Sequence, residues 1–101
     1  MNSTLIDHAA AMQFANDLLK ASPSRKDFSR VILDEYTIER SRCFVFFYES
    51  SRFLETKRFE DRLVGNAPIL IDRESGAVQY LGTAFPVEKY IEEYEANQKH
   101  S

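Results

Sequence analysis

Residues Arg42 to Glu49 read Arg-Cys-Phe-Val-Phe-Phe-Tyr-Glu, and no other stretch limits the fold of this chain as strongly. Successive side chains of an extended strand point to opposite faces, so Phe44, Phe46 and Tyr48 line one face while Cys43, Val45 and Phe47 line the other. Both faces are apolar and both need cover, which predicts a central strand. At about 100 to 200 residues per domain, a chain of 101 residues must supply that cover from one core. Its hydrophobic fraction of 44% is far from the signature of disorder, and 8 Phe with 5 Tyr make the core aromatic-rich.

The remaining elements follow from periodicity and punctuation. Ser3 can cap a helix from Thr4 to about Lys20, where Ile6, Ala10, Phe14 and Leu18 recur every fourth residue with Ala11 and Ala15 beside them. Pro23 in Ala-Ser-Pro-Ser ends it. Arg30 to Glu39 is rich in β-branched and aromatic residues, with Ile32, Tyr36 and Ile38 at even spacing and Asp34 breaking the series, and it is expected as a strand towards an edge. Ser50 to Val64 mixes Arg52, Lys57, Arg58 and Arg62 with Glu55, Glu60 and Asp61 around scattered apolar residues, and it reads as an irregular excursion with room for one helical turn.

Gly65-Asn66-Ala67-Pro68 punctuates the chain, Pro68 suits the first residue of a strand, and Ile69-Leu70-Ile71 is that strand. Asp72 to Gly76 is a hairpin loop in which the Asp72 side chain accepts local backbone bonds and Gly76 takes the left-handed conformation; Ala77 to Leu81 returns. Pro86 occupies a natural first helical position, and Val87, Tyr90, Ile91 and Tyr94 follow at helical spacing, with fraying expected from Ala96. The order helix, strand pair, excursion, hairpin, helix predicts a single α+β domain over residues 1–101. It consists of a small antiparallel meander sheet of about four strands with an N-terminal and a C-terminal amphipathic helix packed on it.

A net charge of −3 and a pI near 5.4 argue against a nucleic-acid partner, because such surfaces concentrate Lys and Arg. No apolar run approaches the roughly 20 residues of a membrane helix, so no membrane partner is expected. The single Cys43 marks no oxidising compartment, which points to the cytoplasm, and in a strand it is expected as a buried small hydrophobe rather than a nucleophile. His8 and His100 lie near the termini without a paired carboxylate, a Cys, or a second His at helical spacing. The Asp72 to Gly76 loop lacks the alternating ligands and distal Glu of a calcium loop. No catalytic, cofactor-binding or metal-binding residue is therefore expected.

The run Gly65-Asn66-Ala67-Pro68-Ile69-Leu70-Ile71-Asp72-Arg73-Glu74-Ser75-Gly76, followed by Tyr80-Leu81-Gly82-Thr83-Ala84 and Tyr90-Ile91-Glu92-Glu93-Tyr94-Glu95, resembles the YrhB-like family, also called the immunity protein 35 family. Phe44 to Glu49 and Phe53-Leu54-Glu55-Thr56 resemble it too, so the likeness runs over about residues 44–95. The family often carries Trp near the position of Phe44, and this chain has none. The resemblance implies a small bacterial protein without catalysis that binds and neutralises a cognate toxin of a polymorphic or contact-dependent system. Its alternative implication is chaperone-like binding of unfolding clients.

Within the shared motif Gly65, Asn66, Pro68, Asp72, Gly76, Gly82 and Tyr90 are expected to serve the scaffold. Glu88, Glu92 and Glu95 share one face of the last helix, at spacings of four and seven. They read either as ordinary solvated surface or as an acidic patch for a toxin with a basic surface. The sequence leaves the oligomeric state open.

Overall fold

The computed structural model describes residues 5–21, 30–58, 60 and 67–99. In chain order the elements are α1 (His8–Ala21), β1 (Arg30–Ile32), a 3-10 turn (Asp34–Tyr36), β2 (Ile38–Glu39), β3 (Cys43–Phe46), β4 (Tyr48–Ser50), α2 (Ser51–Thr56), β5 (Ile69–Asp72), β6 (Val78–Tyr80) and α3 (Val87–Lys99). The fold is α+β, as expected. A four-stranded antiparallel sheet runs β2-β3-β5-β6, and β1 pairs with β4 in a separate two-stranded ladder.

The two apolar faces of β3 find separate cover. Phe44 and Phe46, with Ile69 and Ile71 of β5, pack under Ala11, Ala15 and Leu19 of α1. Cys43, Val45 and Leu70 pack on the other face with Leu81 and Ile91 of α3. The register explains why the pairs stay together: Phe44 lies opposite Ile71 and Val45 opposite Leu70, so each face of β3 continues across β5. The sheet is thus the middle layer between α1 and α3.

The segment 30–39 is two strands rather than the single one expected, and 42–49 likewise divides at Phe47. The pairing Ile32↔Tyr48 in one ladder and Ile38↔Val45 in the next are offset by three residues, the length of the 3-10 turn. A hairpin that would otherwise be continuous therefore carries a three-residue insertion at Asp34. Leu33 N–H still donates to Phe47 O at 2.8 Å, and the Thr37 hydroxyl donates to Asp34 Oδ1 at 2.9 Å.

Three boundaries also move. Residues 5–7 are not helical, and α1 starts at His8 because Asp7 Oδ1 accepts from Ala10 N–H at 2.9 Å while Ile6 N–H donates to Arg73 O at 2.7 Å. The expected cap Ser3 lies outside the described residues. The buried stripe is Ala11, Ala15 and Leu19, and Phe14 is left 38% exposed. α3 continues to Lys99 instead of fraying from Ala96. The excursion after Ser50 does contain a helix, α2, capped by the Ser50 hydroxyl accepting from Phe53 N–H at 2.9 Å and closed by Lys57 at φ 59°.

The Asp72 to Gly76 loop matches its expectation. Asp72 Oδ1 accepts from Glu74 N–H and Ser75 N–H, both at 2.8 Å, and Gly76 has φ +79°. Pro68 directly precedes β5 and accepts from Leu81 N–H at 2.8 Å. Gly65 and Asn66 lie outside the described residues.

Candidate interaction surface

α3 lies on the sheet through Ile91, fully buried, with Val87, Tyr90 and Tyr94 half-buried beside it. Its stripe is the one read from spacing. Of the three expected surface carboxylates, Glu88 and Glu92 are exposed. Glu95 is half-buried and close enough to Cys43 to act on its thiol.

The loop before α3 is held by Tyr90, whose hydroxyl accepts from Ala84 N–H and Phe85 N–H, both at 3.2 Å. Gly82 makes that possible. A Cβ there would fall on the Tyr90 hydroxyl and within 2.6 Å of Cζ. Gly82→Ala should therefore expel the ring, with a loss of about 1 kcal/mol, since both loop amides are exposed and bond to water once the hydroxyl leaves. Guanidinium unfolding checks this, and an unchanged midpoint would mean that the tyrosine shifts freely.

Beside that loop, between α3 and β6, lies a cleft of about 390 Å³ lined by Gln79, Tyr80, Gly82, Tyr90, Glu93 and Asn97 among others. The Tyr94 hydroxyl is buried and has no hydrogen-bond partner among the described residues. β6 closes the sheet on this side, with all three of its residues exposed.

The groups expected to be chemically inert differ in one respect. His8 does have a paired carboxylate: its Nε2 lies 2.7 Å from Asp34 Oδ1, brought there by the packing of α1 beside the 3-10 turn. Hydrogen bonds from His8 and then Thr37 hold the Asp34 carboxyl below its usual range, although both partners of the pair are about half exposed. The His8 ring faces Phe44 and Phe46, at centroid distances of 5.8 and 6.0 Å, so the pair ties helix to turn and holds no nucleophile. His100 lies outside the described residues. No group of three or more His, Cys, Asp or Glu among the described residues could hold a metal ion, and no described helix is long and apolar enough to cross a membrane.

Cys43 is fully buried in β3, as expected. Burial, reinforced by the Glu95 carboxylate, pushes its thiol up to about 11. The thiolate is the reactive form, so at pH 8 the native protein should resist iodoacetamide and become alkylated only in denaturant. Mass spectrometry reads the outcome, and rapid native labelling would contradict this burial.

Sequence reasoning missed Arg73. Its guanidinium donates to Ile6 O at 3.1 Å and to Arg40 O at 2.8 Å, and stacks 4.7 Å over the Phe44 ring. It also lies 3.7 Å from Glu39. One side chain thus joins the segment before α1, the β2–β3 turn and the β5–β6 hairpin.

A family model described as Immunity protein 35 matches residues 9–97, a span that includes every strand and nearly all of α1 and α3. YrhB of Escherichia coli (strain K12), described as uncharacterized, is 47% identical over 55 residues, which are 54% of this chain and 58% of that protein. The alignment thus spans under two thirds of that relative. No solved structure matches the chain.

Proposed function

The chain belongs to the immunity protein 35 family, and from that premise we propose that it is a non-catalytic antidote that binds and neutralises a cognate bacterial toxin. The family match over residues 9–97 carries this reading. Neutralisation by binding requires a complementary surface and a slow dissociation, and no reacting group.

The acidic balance sets the character of the partner. With a net charge of −3, and Glu88 and Glu92 exposed on one face of α3, the protein suits a toxin with a basic surface. Glu95 joins that face from a half-buried position. Exposed carboxylates act mainly on encounter, because they attract an oppositely charged partner over a Debye length of about 10 Å at 0.1 M salt. Reversing Glu88 and Glu92 to Lys should leave the circular dichroism spectrum unchanged and lower the association rate several-fold, with the effect largest at low salt. Wild-type rates at both low and high salt would make this face ordinary surface.

Co-expression tests the function itself. The toxin domain encoded beside this chain's gene should arrest growth when expressed alone and permit growth when this chain is expressed with it. The chaperone-like alternative predicts many weak clients instead of one dominant partner, and protection that does not depend on the identity of the toxin.

A further inference from the structure

The sheet ends at β6, and the ladder on the inner side of that strand determines what its outer side offers. Leu81 N–H donates to Pro68 O at 2.8 Å and Asp72 N–H donates to Ala77 O at 2.9 Å. Hydrogen-bonded and non-hydrogen-bonded pairs alternate along an antiparallel ladder, so the pair Gln79↔Leu70 between them is hydrogen-bonded as well. The backbone groups of Val78 and Tyr80 therefore point outward, away from β5. Val78 is 37% exposed and Tyr80 42%. Charge, proline or a bulge usually guards such an edge, and Val78-Gln79-Tyr80 carries none of them.

Gln79 lies on the α3 side of the strand and lines the 390 Å³ cleft. Among the described residues the cleft has one charged side chain, Glu93, which is exposed.

We propose that β6 receives an added strand from the cognate toxin, an extended segment with a lysine or arginine opposite Gln79. A residue directly opposite projects to the same face, so its side chain enters the cleft, where Glu93 neutralises its charge. Val78 and Tyr80 exchange backbone hydrogen bonds with the incoming strand, which gives affinity, and the cleft selects the basic residue. Charge decides the occupant. A second copy of this acidic chain, paired about a two-fold axis at Gln79, would bring a neutral glutamine to the cleft and repeat the same carboxylates. This inference rests on the antidote reading.

Amide hydrogen exchange followed by NMR, on the free chain and on its complex with the toxin domain encoded beside its gene, separates the two claims. The Val78 and Tyr80 amides should exchange at least tenfold more slowly in the complex, while Gln79 is already protected in the free chain. Glu93→Lys should keep the wild-type melting temperature and weaken binding at least tenfold. Val78→Pro should do the same, since proline removes only an outward donor. If Val78→Pro does not fold, wild-type exchange and Glu93→Lys still decide the matter. A tight complex in which both amides stay fast overturns strand addition and leaves the antidote reading standing. Protection that appears without toxin and rises with protein concentration assigns the edge to a second copy and also overturns the proposal. A toxin domain that the wild-type chain does not bind overturns the antidote reading, and this inference with it.

Discussion

Replacing Leu70 with aspartate should leave the chain unfolded at 25 °C. Leu70 is 1% exposed and packs among Cys43, Val45, Leu81 and Ile91, where α3 meets the sheet. Truncating a buried leucine costs about 2 to 5 kcal/mol, and an unpaired carboxylate in the same site adds several more. A domain of this size has a total of about 5 to 15 kcal/mol. Leu70→Met, which nearly conserves volume, should cost less than about 1.5 kcal/mol and serves as the control. Circular dichroism melts distinguish the outcomes. A cooperative, near-native transition for the aspartate variant would place β5 at the periphery and contradict the three-layer packing.

The second large effect should come from Arg73→Ala. The side chain is 17% exposed, and its loss leaves the Ile6 and Arg40 carbonyls without their charged donor and uncovers the Phe44 ring. Hydrogen bonds to charged groups are worth about 1.5 to 3 kcal/mol each, and a cation over an aromatic face roughly 0.5 to 2. These contributions share one side chain and do not add fully, so a loss of about 3 kcal/mol is expected, equivalent to a fall in melting temperature of roughly 12 to 24 °C. Arg73→Lys should recover only part of this, since an ammonium cannot reproduce the planar fork. A shift below about 3 °C for the alanine variant would mean that the three segments are held by their backbones alone.

Arg73 shows where sequence reading reaches its limit. Its partners lie 33 and 67 residues away, so nothing in the local pattern of the loop announces them. Neighbours in sequence carried better signals: the Asp72 turn and Gly76 depend on bonds spanning two to four residues, and both were legible. The doubly apolar run at 43–48 likewise carries its own explanation, because alternation alone requires cover on two sides. In α1 the spacing was correct, and the buried line runs through Ala11 and Ala15, expected beside the stripe, while Ile6 and Leu18 pack at its margin and Phe14 does not. Ile6, Ala10, Phe14, Leu18 and Ala11, Ala15, Leu19 have the same period, and only the aromatic floor of Phe44 and Phe46 selects the small residues for close approach. Phe14 is displaced to the flank, where its ring lies near Gly76.

The surface divides in the same way. Glu88 and Glu92 are exposed as their spacing implied, whereas Glu95 is drawn inward by the helix rotation that buries Ile91. The cleft at Glu93 and Tyr94 was not legible, because it exists only where α3 passes beside the end of the sheet. Tyr94 belongs to the core stripe by spacing, and it packs there beside Ile91 and Leu81.

An antidote of the proposed kind silences its toxin by occupying it rather than by changing it. Titrating the purified chain into a fixed amount of the toxin domain encoded beside its gene, with the toxin's activity as the readout, tests that directly. Activity should fall in proportion to the chain added, reach its floor at a fixed molar ratio, show no dependence on incubation time after mixing, and return when the complex is separated under denaturing conditions and the toxin refolded. Activity that survives a large excess of the chain, or that disappears progressively at a small fraction of one equivalent, would contradict the account.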